Sequence, residues 1–348
     1  MNRNELKERT YGSLLGLAMG DAAGFPAMYH RTLLLKWGRD LLWEFSKQAD
    51  EQRVNKFSLP FTLSQPEETL HLCGTDDTEF AAAAALILLS CGDEPTAESL
   101  FAGWRTHVVE QGDSIWSGVS ERASIDNARK GLHPPATGND NPHHFDDGAV
   151  ARAVPVGLRF RGDPDKAADV AGTLASITNA EDGIYAAQAM AASIAAAVSG
   201  ASPADAVAAG RRYIPADSWL GRKTALALAI LEEAGSGFAA VPEWNNRVVN
   251  GIYNYGNVAP ETLAVAYAVF LAVDGKIQEG IQLACLMPKQ ADSMPAMVGA
   301  LCGAHTGLSE VPSSWMSSLD TLKGVCMPQL KGQSLRVLAE RLAAERGT

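Results

Sequence analysis

Alanine-rich apolar segments recur along this chain and constrain its fold more than any other feature. Residues 79–91 read EFAAAAALILLSC, and residues 183–199 read GIYAAQAMAASIAAAVS. Alanine has the highest helix propensity, and apolar residues at helical spacing predict helices. The same pattern predicts helices at 10–20, 165–178, 203–210, 222–234, 260–273 and 295–306. Because alternating β-branched runs are nearly absent, we predict an all-α fold.

Small residues dominate these segments, and this bears on how the helices pack. Alanine and glycine faces let helix axes approach closely, so they favour a compact orthogonal helical bundle over a coiled coil. We interpret Gly16, Gly20 and Gly24 as close-contact and turn positions, because no GxGxxG motif follows a predicted strand. The polar, proline-rich stretches 47–74 and 131–147 are predicted loops. No change in composition marks a linker, so residues 1–348 are predicted to form one domain.

The composition excludes several classes of function. The 348 residues include 29 Lys and Arg against 40 Asp and Glu, a formal net charge of −11. An acidic chain without a basic cluster is not expected to bind nucleic acid. No apolar run approaches the roughly 20 residues that span a membrane, and no signal peptide is recognisable, so we predict no membrane partner. The five cysteines lack disulfide or metal spacing, which favours a cytoplasmic location. No oligomeric state is predicted.

The sharpest motif is GTDDTEF at residues 74–80. Thr75, Asp76 and Asp77 place a hydroxyl and two carboxylates just before an apolar helix. Hard oxygen ligands of this kind are what Mg²⁺ and Mn²⁺ prefer. The alternative is a helix capping box, with Asp76 at the N-cap and Glu79 three residues later. The sequence leaves both interpretations open.

Two further acidic positions flank predicted helices. Asp21 follows the segment 10–20, where the helix dipole disfavours an anion unless a cation or hydrogen-bond donors compensate. The alternative is a solvated aspartate in a turn. Asp292 and Ser293 precede Pro295, so they are either an ordinary N-cap or a second group of oxygen ligands.

A fourth acidic group, Asp146 and Asp147, precedes Gly148 and a predicted helix that carries Arg152. Taken alone, the group is interpreted more simply as an acidic turn in solvent. Four acidic groups beside helix ends, far apart in one helical sequence, nevertheless favour their convergence on a common site.

In these blocks the chain resembles the ADP-ribosylglycohydrolase family, which includes dinitrogenase-reductase-activating glycohydrolases and crystallin J1-like proteins. The matching segments, in family order from about residue 10 to 307, are GSLLGLAMGDAAGFP, GTDDTEFAAA, DDGAVARAVPVGL, YGNVAPETLAVAYAVF and QADSMPAMVGALCGAHTG. The resemblance implies an all-α fold with a two-metal magnesium site that hydrolyses a bond at the anomeric carbon of ADP-ribose. Residues 308–348 would then be a C-terminal extension of the domain.

The resemblance also implies roles for individual residues. The metal ligands would be Thr75, Asp76, Asp77, Asp292 and Ser293. Asp76 or Asp77 would be the catalytic residue that takes a proton from water. Substrate contacts would come from Asp21, Asp146, Asp147 and Gly148. The partner would be an ADP-ribosylated protein or a smaller ribosylated molecule, and the cofactor Mg²⁺ or Mn²⁺.

Four positions depart from the family pattern. Met28 replaces a glutamate, Asn179 a histidine, Lys289 a glycine and Gln290 an aspartate. Gln290 removes a carboxylate and Lys289 adds an ammonium group nearby, and both changes weaken the binding of a second divalent ion. We therefore expect one or two ions, and Lys289 could supply the positive charge of the second. An alternative function is a catalytically impaired member that binds ADP-ribose or a nucleotide, or acts as a crystallin-like structural protein.

Overall fold

The computed structural model describes residues 2–34, 47, 51–52, 72–249 and 255–344, with the backbone alone for 25–34. The side chain of Met28 and most of the predicted loop 47–74 therefore lie outside the described residues. Within the described ranges the secondary structure is helical, with no strand or sheet. The prediction of an all-α fold is confirmed.

Sixteen α-helices are present in the described part of the chain. In order they are α1 (Arg3–Leu34), α2 (Asp76–Ser90), α3 (Ala97–His107), α4 (Val119–Arg129), α5 (Ala136–Asn139), α6 (Gly148–Arg159), α7 (Pro164–Ala175), α8 (Asp182–Val198), α9 (Pro203–Arg211), α10 (Trp219–Ala234), α11 (Gly237–Glu243), α12 (Ala259–Ala272), α13 (Ile277–Ala284), α14 (Met294–Thr306), α15 (Ser313–Leu319) and α16 (Leu335–Leu342). Short 3₁₀ turns occupy Val109–Gln111 and Pro328–Leu330, and a π-helical turn occupies Trp244–Val248.

Every segment that the alanine-rich pattern predicts as a helix overlaps a helix in the structure, but two boundaries differ. The first helix does not end at Gly20; it continues to Leu34. Ala22 and Ala23 favour continuation of the helix beyond Gly20, but the helix also includes Gly24 and Pro26, residues at which local rules would end it. The predicted loop 131–147 is also interrupted, by the single helical turn α5.

α1 and α14 pack backbone against backbone along a line of glycines. A Cβ at Gly16 would collide with the backbone of Gly299, and one at Gly20 would collide with the backbone of Pro295. Gly24 approaches the segment just before α14 in the same way. The interpretation of these glycines as close-contact positions is confirmed. Their antiparallel register brings the start of α14 beside the middle of α1.

α8 and α12 contribute heavily to the core, with 12 of 17 and 12 of 14 residues buried. A helix that is apolar on all sides is stable in water only when other helices surround it. None of the helices in the described ranges combines the length and apolarity needed to cross a membrane.

Candidate functional site

The first turn of α2 carries the Thr-Asp-Asp motif and is held by Asp21 from α1. Thr75 occupies the N-cap position, yet its side chain makes no capping hydrogen bond. Instead, the backbone N–H and hydroxyl of Thr75 donate to the Asp21 carboxylate at 2.6 and 2.5 Å. The N–H and hydroxyl of Thr78 also donate to it, at 3.1 and 2.5 Å. Asp21 therefore caps a helix to which it does not belong.

Two predictions about Asp21 are thereby corrected. It lies inside α1 and not at the end of a helix, because α1 continues to Leu34. It is also no solvated aspartate, since only 2% of it is exposed. A buried carboxylate needs hydrogen-bond donors, and Thr75 and Thr78 supply them to Asp21.

The capping-box alternative for the motif does not form. Glu79 turns away from the start of its helix, and its carboxylate accepts the backbone N–H groups of Val325, Cys326 and Met327 at 2.9, 2.8 and 2.7 Å. Asp76 and Asp77 are consequently left facing a pocket. A helix capping box therefore does not explain why Asp76 and Asp77 lie side by side.

The start of α14 supplies the second group of oxygen atoms. Ser293 stands at the N-cap of α14 but makes no side-chain capping bond. Its hydroxyl donates to Asp147 Oδ1 at 3.3 Å. Asp292 Oδ2 accepts the amide of Asn257 at 3.0 Å. As in α2, the polar residues at this helix start contact other elements and do not cap their own.

The turn before α6 brings Asp146 and Asp147 into the same region. Asp146 Oδ1 accepts the backbone N–H of Gly148 at 3.2 Å and the side-chain amide of Asn179 at 3.1 Å. An isolated bridge joins Asp146 to Val258, at the start of α12. Asp146 is 4% exposed and Asp147 2%. The interpretation as an acidic turn in solvent is wrong, because tertiary contacts cover both carboxylates.

These helix starts surround one narrow pocket with a cavity volume of about 30 Å³. Asp76 keeps partial exposure, whereas Asp77 is buried. The pocket is lined by Asp76, Asp77, Phe80, Gly118, Ser120, Glu121, Asp146, Asp147, Gly148, Arg152, Asn257 and Ser293.

Burial and mutual repulsion dominate the electrostatics of the pocket. Burial, with the charge of Asp292, raises the pKa of Asp76 to about 7. Burial, with the charge of Asp76, raises the pKa of Asp21 to about 7 as well. The pKa values of Asp77 and Asp147 are held well above the usual range, again chiefly by burial. Carboxyl groups in such surroundings must either keep a proton or gain a cation near neutral pH.

The donor set suits a hard divalent cation, although it is not a ready-made cage. Thr75, Asp76, Asp77, Asp292 and Ser293 offer hydroxyl and carboxylate oxygens, the ligands that Mg²⁺ and Mn²⁺ prefer. In the part of the chain that the structure describes, no three His, Cys, Asp or Glu side chains are grouped closely enough to hold a metal ion. A cation here would depend on hydroxyl and water ligands as well as carboxylates, which is common for Mg²⁺.

Six residues of the pocket were not predicted from the sequence as site residues: Phe80, Gly118, Ser120, Glu121, Arg152 and Asn257. Glu121 and Arg152 form an ion pair that is only 3% and 7% exposed. Glu121 also accepts the indole N–H of Trp104 at 2.7 Å. An arginine inside the apolar sequence of α6 is the signal that was available, because a buried guanidinium requires partners.

A line of polar contacts backs one wall of the pocket. Lys289 Nζ lies 3.1 Å from Glu261 Oε2, which also accepts the side-chain amide of Gln290 at 2.8 Å. The Thr262 hydroxyl lies 2.8 Å from Gln290 Oε1 and 2.7 Å from Asp147 Oδ2. The charge of Lys289 is therefore directed at a buried glutamate behind the pocket.

The all-α fold is shared with a solved structure. A solved structure described as an ADP-ribosylglycohydrolase-related protein complex matches it with a TM-score of 0.60 and 23% identity, over 98% of each chain. The ADP-ribosylarginine hydrolase Tri1 of Pseudomonas putida (strain GB-1) is 26% identical over 320 residues, 90% of this chain and 74% of that relative. The chain belongs to the ADP-ribosylglycohydrolase family, whose model matches residues 2–348.

Membership confirms the resemblance drawn from the sequence blocks and the fold that the resemblance implied. It also makes the protein a glycohydrolase of a family that acts on ADP-ribosylated substrates.

Proposed function

We propose that this protein hydrolyses the bond between ribose C1 of ADP-ribose and an arginine side chain of a modified protein, with Mg²⁺ or Mn²⁺ as cofactor. The observation that carries the proposal is the convergence of the starts of α2 and α14 on one pocket. Asp76 lines this pocket together with Ser293 and Asn257, and the Asn257 amide donates to Asp292 at 3.0 Å. Cleavage at C1 passes through a state with positive charge on the sugar, which a pocket of carboxylates suits.

Five residues would hold the cation: Thr75, Asp76, Asp77, Asp292 and Ser293. Two of them, Asp76 and Asp292, keep partial exposure and so can reach both an ion and its water ligands. When bound, a divalent cation in such a site orients hydroxyl groups of the ribose and acidifies a water molecule. The hydroxyls of Thr75 and Ser293 would add neutral oxygen ligands, which limit the repulsion among the carboxylates.

Asp76 is proposed as the group that accepts the proton of the attacking water. Asp76 lines the pocket and keeps partial exposure, so its carboxylate can reach a water molecule in the pocket, as a general base must. The water oxygen forms the new bond to C1 while the C1–N bond breaks, and the electron pair of that bond leaves with nitrogen. The departing guanidine then gains one proton, so that one water is consumed and free ADP-ribose and arginine result.

The choice of arginine as the leaving group rests on charge. Asp77, Glu121, Asp146 and Asp147 line the pocket, against one lining cation, Arg152, among the described residues. A guanidinium group is planar and binds carboxylates through paired hydrogen bonds, so an acidic wall suits it. The relative from P. putida, named an ADP-ribosylarginine hydrolase, supports the same choice.

A second candidate is a protein that binds ADP-ribose without hydrolysing it. Gln290 favours this candidate, because its amide is engaged by Glu261 and Thr262 where a carboxylate would add a cation ligand. The pairing of Lys289 with Glu261 points the same way.

The two candidates are separated by incubating the purified chain with a peptide ADP-ribosylated on arginine and following the release of ADP-ribose by chromatography. We expect release with Mg²⁺ or Mn²⁺, loss of release with EDTA, and recovery when the cation is restored. A serine-linked peptide run in parallel tests the leaving group. Binding of ADP-ribose by calorimetry without release from either peptide would establish the second candidate instead.

Asp76→Asn tests the proposed base. We expect turnover to fall by roughly 100-fold or more, the usual size of a general-base contribution, while the melting temperature is kept or raised because one repelling carboxylate is gone. Asp113→Asn is the matched control, since the Asp113 side chain is 90% exposed. Full activity of Asp76→Asn would remove Asp76 from the mechanism.

A further inference from the structure

Glu79 is a buried carboxylate in the first turn of α2 that the proposed reaction does not use. It is completely buried, and its two oxygens accept three successive backbone N–H groups, those of Val325, Cys326 and Met327. Consecutive N–H groups that converge in this way form an anion-binding nest. Hydrogen bonds to an ionised carboxylate are roughly twice as strong as neutral ones. The turn 325–327 is therefore firmly attached to α2.

The same turn also holds the opposite wall of the pocket. The carbonyl of Cys326 accepts the backbone N–H of Trp116 at 2.9 Å. Trp116 lies two residues before Gly118, which lines the pocket and is the N-cap of α4. Arg122 of α4 donates to the carbonyls of Gly112, at 2.6 Å, and Ile115, so the segment before α4 is also fixed to the helix itself.

The turn thus links two walls that approach the pocket from different parts of the chain. One wall is the start of α2 with Asp76, Asp77 and Phe80, and the other is the start of α4 with Gly118 and Glu121. α16, which follows the turn in sequence, packs against both α1 and α2. A displacement of the turn would change the separation of the two walls.

We propose that the turn 325–327 is a brace that sets the width of the pocket, with Glu79 as its positioning residue. The inference rests on the proposed function, because the ligand whose binding depends on that width is the ADP-ribose unit. Pocket walls displaced by about an ångström weaken binding or catalysis by tenfold or more.

Glu79→Gln tests the brace. The amide keeps the volume but places an NH₂ group against backbone N–H groups, so the nest loses acceptors. In the full-length protein with Mg²⁺, we expect the dissociation constant for ADP-ribose, measured by calorimetry, to rise about tenfold. We also expect faster hydrogen exchange in the peptide that contains the Trp116 amide. If this variant fails to fold, Glu79→Asp replaces it. This variant keeps the charge on a shorter side chain, and its ADP-ribose affinity and its exchange at the Trp116 amide are measured in the same way.

Asp320→Asn is the matched control. Asp320 lies in the same C-terminal part of the chain and likewise accepts three hydrogen bonds, from Tyr11, Ser334 and the backbone of Arg336, at 2.8, 2.8 and 2.9 Å. It does not line the pocket. We expect this variant to melt earlier without a change in ADP-ribose affinity or in exchange at Trp116. General destabilisation alone would affect both variants alike.

Four results decide whether the turn is a brace. Unchanged exchange at Trp116 in Glu79→Gln, or equal loosening in Asp320→Asn, would overturn the brace. Faster exchange together with unaltered ADP-ribose affinity would also overturn it, because the pocket width would then not depend on the turn. If the wild-type protein bound no ADP-ribose, the proposed function would fail, and the exchange measurement alone would decide whether the turn holds the two walls.

Discussion

At the scale of single residues, Asp21 illustrates how a carboxylate becomes a cap for a helix distant in sequence. Local rules assign a cap to the residue just before its own helix. Here Thr75 and Ser293 hold the N-cap positions of α2 and α14 without capping either helix. Asp21 satisfies the donors of α2 instead. The Asp76 side chain therefore does not cap α2 and faces the pocket.

Thr78→Val tests this arrangement. Valine keeps the shape of threonine but removes the hydroxyl that donates to Asp21 at 2.5 Å. Because a hydrogen bond to a charged group contributes about 2 kcal/mol, we expect the free energy of unfolding to fall by about that amount in urea titrations. Thr78→Ser, which retains the hydroxyl, should lose less. Equal stability of the valine variant and the wild type would contradict the assignment of Asp21 as a cap.

At the scale of elements, the register of α1 on α14 determines where the two oxygen-rich helix starts meet. Glycine at positions 16, 20 and 24 lets α14 approach until backbone touches backbone. The start of α14 then lies beside Asp21, which in turn caps α2. Packing of two apolar helices therefore positions polar groups that neither helix could bring together alone.

Gly20→Ala should disturb this register. An added Cβ would overlap the backbone of Pro295, so the helices must separate, at a cost of about 1–3 kcal/mol or more. We expect a lower melting temperature. We also expect weaker Mg²⁺ binding by calorimetry, because Asp292 and Ser293 at the start of α14 would move away from Asp76. Gly172→Ala is the control, since Gly172 of α7 does not line the pocket and its Cβ would meet only the end of the flexible Gln188 side chain. A Gly20→Ala variant as stable as Gly172→Ala would show that the contact tolerates a methyl group.

The helices differ in how well the sequence predicts them, and the reason is physical. α8 and α12 are alanine-rich and mostly buried, so composition alone predicts them. α1 continues through Gly24 and Pro26, where local rules would end a helix, so its length could not be predicted from the sequence pattern. The same holds for Glu79, whose partners are some 250 residues away at Val325 and beyond. Residue types predicted an acidic site, whereas its partners follow from tertiary contacts.

At the scale of the whole molecule, the pocket concentrates negative charge in a protein that is already acidic, with a net charge of −11. The folded state therefore retains protons that the unfolded chain releases. Asp21 and Asp76 have pKa values of about 7 in the folded protein, against an ordinary value of 3.8. This difference couples the stability of the protein to pH.

Without divalent cations, stability should fall as the pH rises from about 4 to about 8. In that interval the unfolded state binds fewer protons than the folded state, so the free energy of unfolding decreases with pH. The contribution is complete below the unfolded pKa of 3.8 and is lost through the folded value of about 7. A cation that binds only the folded state should restore stability most strongly at the alkaline end.

Thermal melts across this pH range, in EDTA and in Mg²⁺, measure both effects. A melting temperature that rises in EDTA between about pH 6 and pH 8 would contradict this, because ionisation of the pocket carboxylates would then not destabilise the folded protein. If Mg²⁺ raised the melting temperature equally at every pH, the cation would not bind through these carboxylates.

The attachment of Glu79 to Val325, Cys326 and Met327 also bears on biosynthesis. Chains emerge from the ribosome N-terminus first and begin to fold as they do so. α1, α2 and α14 are all made before residue 325, yet the Glu79 carboxylate lacks its donors until that turn has emerged. We therefore expect nascent chains that stop short of residue 327 to be without hydrolase activity, so that truncated translation products cannot act on modified targets.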